Sequence, residues 1–157
     1  MKPSVQRVVA ALAAAGVQVE IVEFAESTRT AEEAAAAVGT TVERIVKSLV
    51  FMAADEPLLA LVSGGNRLDT VRLSAHLGRH VRRASADEAR EATGFAIGGV
   101  PPLGHARPLP IFIDRDLMGY DLLYAAAGTP NAVFPITPAE LQRVTGGTVL
   151  DLALRPQ

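Results

Sequence analysis

Two apolar runs split by a short acidic turn leave this chain few ways to fold. Residues 45–52 read Ile-Val-Lys-Ser-Leu-Val-Phe-Met, residues 57–63 read Pro-Leu-Leu-Ala-Leu-Val-Ser, and Asp55-Glu56 lies between them. Each run is short for a helix and bounded by turn residues, so the pair predicts an antiparallel hairpin with its first strand buried along most of its length. Helices must flank such a hairpin. Apolar spacing at Val5, Val8, Val9, Leu12 and Ala13 predicts one, stopped by Gly16. Thr30 with Glu33 predicts the start of a short Ala-rich helix that ends at Gly39, Asp69 caps a helix to about Leu77, and Ser85 with Glu88 opens one that ends before Gly94. Thr137, Pro138 and Glu140 mark a further start, with proline at the position where its missing N–H costs nothing. Further strands are expected at 17–24, 109–113, 122–126, 132–136 and 149–152. Irregular interleaving with hairpins favours an α+β domain with a mixed sheet over a doubly wound parallel one. At 157 residues the chain fits one domain, 1–157.

Composition removes several functional classes. There is no cysteine, which excludes disulfide, thiolate–zinc and thiol-nucleophile chemistry. Fifteen Lys and Arg against 17 Asp and Glu leave a formal charge of −2, too balanced for a protein that coats DNA through many phosphate contacts. No apolar run nears the ~18 residues that span a bilayer, so no membrane partner is expected and the compartment is read as cytoplasmic.

Lys47 is the oddest residue, an amine amid Ile45, Val46, Leu49, Val50 and Phe51. A charge there is costly unless partnered or exposed in a cleft. It reads either as a lysine at a pocket mouth awaiting an anionic ligand or as a snorkelling lysine covering apolar surface. The Gly/Pro-dense segment 93–104 presents backbone, and its free N–H groups could converge on one anionic oxygen; an ordinary tight connection is the alternative. Segment 124–131 is a strand running into a small-residue turn, which leaves room for a ligand or packs closely on a helix. Arg72, Arg79, Arg82 and Arg83, with His76 and His80, form the one concentrated positive segment, suited to phosphates or to a solvated face compensated by Glu88 and Glu91. His76, His80 and His105 lack carboxylate partners at metal-ligand spacing, so no metal is expected. Asp114 and Asp116 flanking Arg115 read as a solvated ion-pair cluster.

The order and wording of residues 45–51, 61–69, 93–104, Ile113-Asp114 and 124–128 resemble the YbaK/prolyl-tRNA editing-domain family over nearly the whole chain. The resemblance implies a mixed, partly barrel-like sheet flanked by helices. It implies hydrolysis of the ester joining a small wrong amino acid to the 3′ end of a tRNA of prolyl type, with no cofactor. It makes the aminoacylated tRNA end a partner and a cognate aminoacyl-tRNA synthetase a second one. By family pattern Lys47 lies beside the terminal adenosine and the ester. Gly98 to Pro102 matches a GxxxP loop in which the Gly99 and Val100 amides would face the scissile carbonyl, and Pro101 and Pro102 shape the wall. Ala126, Ala127 and Gly128 match the small turn bordering the aminoacyl pocket. Phe24 and Ser48 match positions that contact substrate, and the four arginines would give weak tRNA contacts. Phe24 stands where the cysteine-specific branch has Tyr, Ala126 where it has Ser, and Ser48 where the alanine-specific branch has Asn, so neither substrate carries over. The rival reading is a non-catalytic binder of charged tRNA ends or of an aminoacyl nucleotide.

Overall fold

The structure is a computed structural model that describes residues 1–28 and 30–155. Five α-helices are described: α1 (Pro3–Ala14), α2 (Ala31–Val38), α3 (Thr70–Leu77), α4 (Ala86–Thr93) and α5 (Pro138–Thr145). Eight strands accompany them: β1 (Val22–Glu23), β2 (Ile45–Ala53), β3 (Glu56–Ser63), β4 (Arg82–Arg83), β5 (Ile111–Asp114), β6 (Leu123–Ala126), β7 (Ala132–Ile136) and β8 (Thr148–Leu150). The strands form one mixed sheet in the order β1-β7-β6-β2-β3-β5-β8, with β4 also paired to β2. This is the expected α+β architecture.

Local chemistry places the helices. The hydroxyls of Thr30, Ser85 and Thr137 and the carboxylate of Asp69 accept the amides of Glu33, Glu88, Glu140 and Arg72, giving each of the helices α2 to α5 a partner for one orphan N–H. Ser85 and Glu88 complete a reciprocal capping box. Along α1 the buried stripe is Val5, Val8 and Leu12, which joins the main core.

The β2–β3 hairpin is the centre of the molecule. Its register pairs Val46 with Ser63 through to Ala53 with Glu56, so the turn is Ala54-Asp55, one residue earlier than Asp55-Glu56. Alternation divides its side chains between two cores: Val46, Val50, Leu59 and Leu61 face the larger one, and Phe51, Ala53, Leu58, Ala60 and Val62 the smaller. Each large side chain buried this way contributes about 1.5–3 kcal/mol, which explains the missing polar alternation.

Two expectations need correction. The strand expected over 17–24 shrinks to Val22–Glu23, paired with β7. Val17, Val19 and Ile21 do pack on the main core, but as side chains of an irregular segment, because alternation reports a buried face and not a backbone partner. Arg82–Arg83, read as part of a charged segment, is a strand against Phe51 and Met52.

One edge of β2 is covered by β3 throughout. The other is shared: β6 pairs in parallel at Ile45 and Val46, and β4 pairs antiparallel at Phe51 and Met52. Between them residues 47–50 have no strand alongside, and the opening this leaves positions the site.

Candidate active site at the split edge of β2

Backbone direction alternates along a strand. The carbonyl of Ile45 accepts from Gly64 on the β3 side, and the carbonyl of Val50 accepts from Ala84 on the other side. Odd-numbered β2 residues therefore turn their peptide groups to β3 and even-numbered ones away from it, which aims the amide and carbonyl of Ser48 into the opening. A cavity of about 240 Å³ fills this opening, bounded by β2, α2, the loop after α4 and the turn after β6. Its walls are largely small and apolar, including Ala31, Ala34, Val46, Ala126 and Ala132.

Lys47, Ser48, Gly98, Val100, Ala126 and Arg83 all line this cavity. Lys47 is half-buried, and its Nζ donates to the main-chain carbonyl of Asn66. Burial holds the amine below the ordinary lysine value of 10.5; Glu32 and Asp114 pull it back up, while Arg83 and Arg67 push it further down. The Ser48 hydroxyl is buried and has no hydrogen-bond partner among the described residues.

The Gly/Pro loop meets the cavity through Gly98, at φ 93°, and Val100. Their amides have no acceptor among the described residues, whereas the amide of Gly99 donates to Ala96 at 3.0 Å. The expected pair, Gly99 and Val100, is corrected at its first member: the Gly99 amide is held inside the turn, and Gly98 and Val100 are left without an acceptor among the described residues. The role of Gly99 is close approach: a Cβ there would lie 2.7 Å from Thr129 Cα, so only glycine lets this loop rest on the turn after β6. Pro101 and Pro102 are buried behind the wall.

His105 holds that wall from outside, its Nε2 lying 2.7 Å from the Pro101 carbonyl. Burial lowers the imidazole pKa from 6.5, with the Pro101 bond acting in the opposite sense. Because the unfolded chain then takes up the proton more readily, stability should fall as pH drops below about 6.5. Denaturant titrations between pH 7.5 and 5 should show this slope, and H105Q should flatten it; identical slopes would remove His105 as the source.

Other sequence candidates lie elsewhere. Gly128 is at φ 101° beneath the first turn of α1, and Ala127 is buried with its amide on the Ala132 carbonyl. Neither lines the cavity, because small residues here serve backbone packing. Phe24 exchanges backbone and side-chain bonds with Asn131 at 2.8 and 3.1 Å, also outside the cavity wall. Of the four arginines Arg72, Arg79, Arg82 and Arg83, only Arg83 lines the cavity. Arg72 pairs with Asp151 at 2.6 Å, Arg79 with Glu56 at 3.1 Å and Arg82 with Glu88 at 2.7 Å. Glu91 pairs with Arg107 instead of the segment it was expected to compensate. Asp114, expected in a solvated cluster, is fully buried.

Sequence reasoning missed Thr28, whose amide and hydroxyl both donate to the Pro130 carbonyl, and Asn66, which holds the Lys47 amine. It also missed the α2 contribution, although the run of alanines in that helix is the signal of a wall that leaves space. Among the described residues no three His, Asp or Glu side chains gather as a metal site, and no helix is long and apolar enough to cross a membrane.

Known proteins place this arrangement. A crystal structure of a candidate trans-editing enzyme for prolyl-tRNA synthetase superposes with a TM-score of 0.94 at 51% identity, covering 99% of both chains. Another, of the hypothetical protein APE2540, gives 0.88 at 31% identity over 94% of this chain and 99% of that one. The protein YwhH of Bacillus subtilis (strain 168), itself described as uncharacterized, is 33% identical over 78% of both sequences. The proline–tRNA ligase of Streptococcus equi subsp. zooepidemicus (strain H70) is 32% identical over 76% of this chain, which spans 21% of that ligase. Residues 25–144 match the model of the aminoacyl-tRNA editing domain, and the chain belongs to that family.

Proposed function

We propose that the chain hydrolyses the ester of a misacylated tRNA in trans, acting as one editing domain on a small wrong amino acid carried by a prolyl-type tRNA. The carrying observation is that Lys47, Gly98 and Val100 line one cavity, beside the stretch of the β2 edge that no strand pairs. Ester hydrolysis requires a positioned water and donors aimed at the developing oxyanion. The open amides of Gly98 and Val100 are donors of that kind, each worth about 2.7–4 kcal/mol in comparable sites. Lys47 orients the terminal adenosine and the ester, Ser48 and Ala126 border the acyl group, and Arg83 meets the tRNA end. Among the described residues no carboxylate or imidazole lines the cavity, so a substrate hydroxyl serves as the proton relay. The small apolar walls suit a short side chain, the kind a synthetase pocket rejects by only about 1–3 kcal/mol. The reading carries with it a cytoplasmic location and action beside a cognate synthetase.

Incubation with a panel of mischarged tRNAs tests the proposal. Release of one or a few small amino acids is the expected result, with correctly charged tRNA spared. Saturable binding of the charged ends with no release on any member would favour the non-catalytic binder instead.

A further inference from the structure

Asp114, at the end of β5, is a fully buried carboxylate, and no Lys, Arg or His pairs with it among the described residues. An ionised carboxylate so placed is tolerated only if hydrogen bonds replace its water. Three do: Oδ2 accepts the Ser63 amide at 3.1 Å and the Asn66 side-chain amide at 2.8 Å, and Oδ1 accepts the Asp116 amide at 3.0 Å. Ser63 and Asn66 are the two ends of the tight turn that follows β3, and the Asn66 amide closes it onto the Ser63 carbonyl at 2.9 Å. The same Asn66 side-chain amide also donates to Asp116 Oδ2 at 2.9 Å, and Arg155 holds Asp116 from the far side at 2.9 and 3.0 Å. The turn is therefore clamped at both ends by one carboxylate, and its product is a main-chain carbonyl presented to the Lys47 amine.

We propose that Asp114 is a positioning residue which, through Asn66, sets where the Lys47 amine stands in the cavity. The inference rests on the reading of Lys47 as the residue that orients substrate. One of the ammonium's three donors is tied to Asn66, leaving the others for the ligand. A long, flexible side chain is thereby reduced to one geometry, which is what a group acting in a transition state needs.

The chain contains two lysines, Lys2 and Lys47, so protein labelled with ¹³C-lysine gives two side-chain signals, one of them an exposed internal reference. The charged groups acting on Lys47 are Glu32 of α2, Arg83 of β4, Arg67 after the turn and Asp114 itself. Burial is the largest of these influences and Asp114 a lesser one, so releasing the amine to solvent is expected to raise its titration midpoint even when that attracting carboxylate is lost. D114N and N66A should both move the Lys47 midpoint upward, by roughly half a pH unit or more, and bring its signal toward that of Lys2. Turnover should fall about tenfold or more in kcat with KM within a few-fold. A downward shift in D114N with no change in N66A would mean that Asp114 acts through charge alone and would overturn the proposal, as would midpoints unchanged in both. If D114N does not fold, N66A decides by itself, since its side chain is only partly buried. The NMR reading needs no turnover: native protein inactive on every tRNA defeats the proposed function while the positioning test still stands.

Discussion

K47A should reduce release of amino acid from a mischarged tRNA by about 10²-fold or more while moving Tm by no more than a few degrees. The activity loss follows from a charged donor acting in a partly desolvated cavity, where single preorganised donors are worth about 10²–10³ in rate. The small stability change follows from what Lys47 does in the fold: it makes one hydrogen bond, to Asn66, and its burial works against its charge. Removing it deletes some stem packing and relieves that desolvation, and the two effects oppose one another. For a chain of this size each kcal/mol is worth about 2–4 °C. Single-turnover kinetics and calorimetry on the same preparation make the comparison. Undiminished release would deny Lys47 a role in the reaction, and a Tm loss of ten degrees or more would mark it as structural. The sign with pH follows too. In the proposed mechanism the ammonium is the competent form; its pKa lies below 10.5, so its contribution should fade as pH rises through that lowered value.

The second large effect concerns stability. G128A should lower it by about 3 kcal/mol or more, roughly 6–12 °C in Tm, while release of amino acid per folded molecule at low temperature stays near native. Gly128 sits at φ 101°, where an L-residue is strained by about 1–2 kcal/mol. A Cβ would also lie 2.7 Å from the Ser4 carbonyl oxygen and 2.9 Å from its carbon, main-chain atoms of α1 that cannot swing aside. The helix would have to lift, loosening Val5 and Val8 from the core. Thermal melts and kinetics separate the two meanings of this glycine. A native Tm with a tenfold higher KM would show that it borders the acyl pocket after all.

Much of the fold was legible because it is local. The caps at Thr30, Asp69, Ser85 and Thr137 each involve residues three apart, and the core stripe of α1 repeats every three to four. The hairpin announced itself through two nearly continuous apolar runs around a short acidic turn. Lys47 stood out for the matching reason, a charged head in an apolar run that either snorkels over the surface or faces a cleft. What misled was pattern without a partner. Val17, Val19 and Ile21 alternate as a strand does, yet a strand also needs a neighbour to bond, and only Val22 and Glu23 find one. The arginine segment reads as one positive patch along the chain, but three of its members end on Asp151, Glu56 and Glu88, carboxylates 79, 23 and 6 residues away.

The sequence by itself determined the five helices, the central hairpin and the family, because propensity, capping and motif spacing depend on near neighbours. The tertiary structure decided where β2 is left unpaired, since that depends on β6 and β4 arriving at its two ends with nothing between. It decided as well that Asp114 is buried and that Gly128 packs under α1. Burial and close approach are properties of the space between distant segments, and no window along the chain contains that space.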